Sequence, residues 1–218
     1  MDLETPLKLI ESREPAKLEK AVALIEGIIL SRRREFIKSQ DLFATNVAGR
    51  LVLQLDTVLA SEYPQQTCIS YLRLVRGCCL LHRPSRGVFN TNEVLLTIVN
   101  KGILHTSSEV QEQALYVLVA ALVRQVSAIR RFEELGVLKT VCTQFKNPRT
   151  AKSVKLAILQ FLFFYLVPET QFPDLERTTK RKSTFDKQQV LGRYLSNVDG
   201  LVRELETNQP FGKRSIEW

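Results

Sequence analysis

The sequence predicts an all-α fold built from stacked helical repeats, and three observations predict it. The first is self-similarity at a spacing of 43 residues. Val94-Leu95-Leu96-Thr97-Ile98-Val99 aligns with Val137-Leu138-Lys139-Thr140-Val141-Cys142, and the same shift carries Phe89 onto Phe132, Ala114-Leu115 onto Ala157-Ile158 and Leu118-Val119 onto Phe161-Leu162. Shifted backward, the template falls on Leu51-Val52-Leu53-Gln54-Leu55. The second observation is that apolar residues recur at helical spacing along most of the chain, with no strand-like alternation. The third is a pair of segments that are apolar nearly all round: Ala114 to Val123, broken only by Tyr116, and Leu156 to Val167, broken only by Gln160. Such helices must be covered on most sides, and stacking between neighbouring repeats covers them. A spacing of 43 lies among armadillo and HEAT units, which run to roughly 40–47 residues. The predicted class is therefore an armadillo/HEAT-like helical repeat, a short α-solenoid.

Near the N-terminus, Pro15 suits the first turn of a helix, and Leu18, Ala21, Val22, Ile25, Ile28 and Ile29 give that helix an apolar face. Helices from about Leu42 to Ala60 and from about Thr67 to Leu81 come next. The clearest repeats are residues 84–126 and 127–169. In the second, a short helix (Ser127 to Leu135) ends at Gly136, which can take the left-handed conformation that turns the chain. Another helix, Val137 to Phe145, stops at Asn147-Pro148, and a long third helix runs from near Thr150 to before Pro168. The earlier repeat carries Glu93 where Gly136 would fall, so its first turn must be built differently. Thr106 and Glu109 have the spacing of a capping box. Residues 168–185 read as a basic loop and 186–206 as an amphipathic helix capping the stack. Residues 1–206 thus form one domain, and 207–218 a tail.

Composition narrows the function. The chain has 218 residues and 44% hydrophobic content, enough for one sizeable core. The N-terminal stretch mixes acids and bases and does not read as a targeting peptide. The apolar run from Leu156 to Val167 is too short to span a bilayer. Cys68, Cys78, Cys79 and Cys142 form no C-x-x-C pair, and His82 and His105 lie at no ligand spacing from them, so neither a disulfide framework nor a metal site is expected. No nucleotide-binding or hydrolase motif is present. The expected protein has no catalytic residues, no cofactor and no small-molecule substrate, and resides in a reducing compartment, cytosol or nucleus.

The net charge of +8 is concentrated locally. Arg177, Lys180, Arg181, Lys182 and Lys187 against Asp186 leave an excess of +4, and Arg32, Arg33, Arg34 and Lys38 against Glu35 an excess of +3. The 177–187 segment reads as a solvated loop, or as a surface for nucleic acid or anionic membrane. Aromatics that would stack on bases are sparse, which argues against nucleic acid. Ser183 and Thr184 follow Arg181-Lys182 as targets of a basophilic kinase would. Arg32 to Arg34 read as the exposed end of a helix. His82-Arg83-Pro84-Ser85-Arg86 is the most distinctive local string. One reading is a helix stop, with Pro84 barring continuation and Ser85 capping the next segment. The other is a partner-facing corner in which His82, Arg83 and Arg86 grip carboxylates.

Three strings then resemble one family when taken together: Leu80-Leu81-His82-Arg83-Pro84-Ser85-Arg86, Arg131-Phe132-Glu133-Glu134-Leu135-Gly136, and Phe161-Leu162-Phe163-Phe164-Tyr165-Leu166-Val167-Pro168-Glu169. They resemble, in this order, the fungal cell division control protein 14 family, the septation initiation network component rather than the phosphatase that shares its name. The resemblance spans roughly residues 15–205. It implies a small, non-catalytic adaptor or regulatory subunit of a protein kinase of the germinal-centre (sterile-20-like) class, bound through the kinase's non-catalytic region. It implies support of that kinase's activity in a cascade at the spindle pole body that triggers cytokinesis and septum formation. It supplies no binding residues. The reading kept beside it is a basic helical scaffold for nucleic acid or anionic membrane.

Overall fold

The computed structural model describes residues 2–12, 14–60, 62–169 and 180–208, and all regular structure among them is helical. Pro15 opens α2 (Pro15–Ser31) as its position predicts, and Leu18, Ala21, Val22 and Ile25 are buried. A short α1 (Glu4–Ile10) precedes it and packs on it. At Arg32 the backbone leaves helical geometry, and α3 (Arg33–Ser39) starts at once, burying Phe36. Arg33 and Arg34 thus open a helix instead of closing one. All three arginines are exposed.

The next helix, α4 (Val47–Val58), starts five residues later than its apolar pattern suggests. Asn46 Oδ1 accepts from Gly49 N at 2.7 Å and caps it. Leu42 and the 3₁₀ turn Phe43–Thr45 are left outside the helix, with Leu42 64% and Phe43 89% exposed. The long α5 (Gln65–Leu81) ends where the proline-containing string begins, and a 3₁₀ helix, Arg83–Phe89, follows.

Two segments lie one repeat spacing apart in the sequence. In the first, Thr91 caps α6 (Asn92–Thr97), which runs into a π-helical turn, Ile98–Ile103. That turn presses Gly102 against α7 (Ser108–Leu122), so closely that a Cβ on Gly102 would come 2.7 Å from Ala114 Cβ. The expected Thr106–Glu109 capping box does not form. Ser107 is the cap, which puts apolar Val110 at the box position, and Glu109 instead accepts from the Gln65 side chain of α5. The second segment follows the pattern read from the sequence: α8 (Val126–Glu134), Gly136 at φ +70°, α9 (Val137–Lys146) and α10 (Lys152–Leu166).

The expected single helix over 186–206 is two helices, α11 (Thr184–Leu191) and α12 (Val198–Asn208). Ser183 and Asp186 form a capping box that starts α11 two residues early. Gly192 and Ser196-Asn197, poor helix formers that favour turns, separate the pair.

The long helices meet in chain order: α2 packs on α5, α5 on α7, α7 on α10, and α10 on α11 and α12. The shorter helices meet likewise, α1 on α4, α4 on α6, and the π turn on α9. One continuous apolar core runs from Leu3 to Val198 and includes the tilted Phe132–Phe161 pair, 5.4 Å between ring centroids. All four cysteines are buried and free. Burial pushes the Cys79 and Cys142 thiols up to about 12, so they persist as inert thiols. Among the described residues, no helix is long and apolar enough to cross a membrane.

Candidate partner-binding site

The end of α5 is tied to the α3–α4 loop through His82. Its ring is 5% exposed; Nδ1 lies 2.8 Å from Ser85 Oγ and Nε2 3.0 Å from Asp41 Oδ1. Asn46 Nδ2 donates to Ser85 Oγ (3.2 Å) and to the Gln40 carbonyl (2.7 Å), and Gln40 Oε1 accepts from Val47 N (2.8 Å). An Asp, a His and a Ser in a row suggest an activated nucleophile. Ser85, however, is 1% exposed and its oxygen already accepts from Asn46. A nucleophile must present a lone pair where a reacting atom can sit, and this one is closed in. The three residues work as a staple.

Arg86 is also largely buried, at 8% exposed. Nε donates to the Cys79 carbonyl and Nη1 to the Val123 carbonyl, both at 2.8 Å. These carbonyls belong to the C-terminal ends of α5 and α7, where a cation is favoured by unpaired carbonyls and the helix dipole. Burial lowers the Arg86 pKa, Cys79 acts against this, and the nearby guanidiniums of Arg83 and Arg124 lower it further. Of the three residues the sequence nominates, His82 and Arg86 are thus engaged inside the fold, and Arg83 faces solvent. Next to Arg83, Pro84 is exposed, and Leu80 on α5 is 58% exposed; Asp41, bonded to His82, is followed in the chain by exposed Leu42 and Phe43. Arg50 sits 5.9 Å over the Phe43 ring, and a hollow of about 360 Å³ next to it is lined by Leu7, Ala44 and Arg50 among others.

Residues 180–187, the described part of the basic segment, are placed differently from a simple solvated loop. Arg177 lies outside the described residues. Lys180 is exposed and Arg181 half-buried. Lys182 Nζ reaches inward to Glu133 Oε2 at 2.6 Å, while its backbone N–H donates to Glu169 Oε2 (2.8 Å) and its carbonyl accepts from Glu169 N (3.0 Å). Lys187, 2% exposed, pairs with Glu169 Oε1 (3.1 Å), donates to the Val167 carbonyl (2.8 Å) and lies over the Tyr165 ring. Arg130 bridges Glu133 (2.7 Å) and Glu169, and Tyr165 donates to Glu133 Oε1 (2.6 Å). Burial would raise the Glu133 pKa, but hydrogen bonds from Lys182, Tyr165 and Arg130 outweigh it and hold the carboxyl below its usual range. For Lys187 desolvation wins over Glu169, and its pKa falls to about 8. Ser183 caps α11 and Thr184 is that helix's first residue.

Sequence reading missed Asp41, Asn46, Glu133, Glu169 and the inward role of Lys187. A signal for several of them does exist. Side-chain bonds between elements join residues about one repeat apart: Asp41–His82 at a separation of 41, Asn46–Ser85 and Arg130–Glu169 at 39, Gln65–Glu109 at 44 and Lys182–Glu133 at 49. Among the described residues, no group of three or more His, Cys, Asp or Glu is placed to hold a metal ion.

Comparison with known proteins then decides the family. The chain matches the family described as "Cell division control protein 14, SIN component" over residues 31–181 and 174–211. The protein named Cell division control protein 14 in Schizosaccharomyces pombe is 31% identical over 192 residues, which cover 83% of this chain and 79% of that relative. This chain belongs to the cell division control protein 14, SIN component, family. No solved structure matches it. The resemblance carried by the Leu80–Arg86, Arg131–Gly136 and Phe161–Glu169 strings is therefore a family relationship, and all three strings lie within the matched residues. They also fall on the features just described. The first holds the His82 staple, the second Glu133 and the turn at Gly136, and the third Tyr165 and Glu169. Membership of the cell division control protein 14 family makes the chain a component of cell-division control.

Proposed function

We propose that the chain is a non-catalytic adaptor, a regulatory subunit that binds the non-catalytic region of a germinal-centre (sterile-20-like) protein kinase of the septation initiation network. It supports that kinase's activity or placement in cytokinesis, in the cytoplasm and at the spindle pole body. Family membership carries this reading. Two structural observations support it. The long helices pack in chain order, and the bonds between elements recur near the 43-residue spacing, as an armadillo-like stack of residues 1–206 requires. In the Asp41–His82–Ser85 row, the Ser85 hydroxyl is buried and already hydrogen-bonded.

The docking corner pairs Arg83 with the exposed apolar residues Leu80, three positions before it, and Leu42 and Phe43, which follow the Asp41 bonded to His82. It offers a cation for a carboxylate and apolar area for an amphipathic helix of the partner. Purified full-length chain should retain the kinase's non-catalytic region in a pull-down. A Phe43→Ala, Arg83→Ala double variant should weaken retention by about 30-fold, the loss of one hot-spot pair. Absence of retention by folded chain sinks the proposal. The basic-scaffold reading is less supported, because Lys182 and Lys187 direct their ammonium groups into the fold. In a low-salt filter-binding titration the chain should leave RNA and DNA unbound.

A further inference from the structure

We propose that Ser183 is a phosphorylation site for a basophilic protein kinase, and that a phosphate there loosens the clamp holding α11 against α8 and α10. Lys180 and Arg181, exposed and half-buried, stand three and two positions before Ser183 in irregular backbone, while Lys182 between them and Ser183 is turned inward to Glu133. An acidic kinase cleft reads cations so placed through charge-assisted hydrogen bonds. The hydrogen bonds that Ser183 makes are themselves at the surface. Its hydroxyl donates to Asp186 Oδ2 (2.7 Å), its N–H donates to the same oxygen (2.8 Å), and its Oγ accepts from Asp186 N (3.2 Å).

In the transfer, Ser183 Oγ attacks the γ-phosphorus of ATP. The bond from that phosphorus to the β–γ bridging oxygen breaks, ADP leaves with the electron pair, and the hydroxyl proton passes to the kinase's carboxylate base. The product has no hydroxyl proton to give Asp186. It sets a charge of roughly −2 against that carboxylate. Asp186 is ionised, since the Ser183 hydrogen bonds hold its pKa below the usual range.

A phosphate can still accept from the Asp186 amide, which favours keeping the first turn. The bond from the Ser183 hydroxyl to Asp186 is lost, and the repulsion pulls the Asp186 carboxylate away from the Ser183 N–H that completes the capping box, so loosening prevails. That turn carries the clamp. Lys187 N donates to the Ser183 carbonyl (3.1 Å), and the Lys187 ammonium is the buried partner of Glu169 and the Val167 carbonyl. Lys182, immediately before Ser183, is the partner of Glu133. The modified residue thus stands between the two lysines that fasten α11. This inference does not depend on which protein the chain holds.

The test is full-length chain incubated with ATP and the catalytic subunit of cyclic-AMP-dependent protein kinase, with sites mapped by mass spectrometry. A peptide covering residues 177–189 serves as control. One phosphoryl group per chain should appear at Ser183 and be absent from Ser183→Ala. Amide exchange over Thr184–Leu191 should then accelerate by about fivefold, the loss of one helix cap, and by less in Asp186→Asn, where the repulsion is removed. Three outcomes overturn the proposal: no label at Ser183 in the full chain, whether or not the peptide is labelled; label confined to Thr184; or stoichiometric Ser183 phosphate with α11 exchange unchanged.

Discussion

The molecule has two polar corners that hold helices together by different means. At the end of α5, Arg86 is answered by backbone carbonyls and His82 by a hydroxyl and the carboxylate of Asp41, whose side chain is 69% exposed. At the end of α10, three cations and two carboxylates meet away from water, with Glu169 only 5% and Lys187 only 2% exposed. An exposed ion pair contributes little, because water competes with each partner. A buried network must recover the desolvation of every charge in it, so removing one member leaves another buried and uncompensated. The exposed Asp41 contact of the first corner should therefore tolerate loss of charge, and the buried network of the second should not.

The largest effect that separates the two is expected from Glu169→Ala. It leaves the buried Lys187 without its carboxylate and Arg130 with Glu133 alone, and should lower the unfolding free energy by about 3–5 kcal/mol in a denaturant titration. A loss under about 1 kcal/mol would show that water reaches the network. Next comes pH. Folding lowers the Lys187 pKa from its ordinary 10.5 to about 8. Between those values the unfolded chain holds a proton that the native chain has released, so stability rises with pH across that window and is flat in this respect below it. Relative to Lys187→Met, the native chain should gain up to about 3 kcal/mol from pH 8 to 10.5.

Arg86→Ala should cost about 2 kcal/mol, from two carbonyls left without their charged donor. Arg83→Ala, at the exposed point of the same corner, should change stability by less than about 0.5 kcal/mol. A pull-down of the kinase segment should nevertheless register its loss. If Arg83→Ala leaves binding intact, the docking corner lies elsewhere.

Much of the fold was legible. Pro15, Gly136 and Pro148 each act where their backbone chemistry predicts, because each constrains φ or a hydrogen bond locally. The all-round apolar segments became α7 and α10, buried between neighbours. The π turn was not legible, since it answers the close approach of Gly102 to Ala114 on another helix. The candidate site was legible only in part. Within the string His82 to Arg86, which side chains face solvent depends on Asp41, Cys79 and Val123, all outside the string.

The sequence by itself determined a helical chain with a 43-residue repeat and a family relationship, because periodicity and short strings are properties of residue order. Only the tertiary structure decided that Lys182 and Lys187, read as part of a solvated basic segment, close a buried network with Glu133 and Glu169, and that His82 and Arg86 are engaged within the fold. A charge's role is set by how much water it keeps and what it meets across the fold. Partners 39 to 49 residues away become neighbours only when the helices pack.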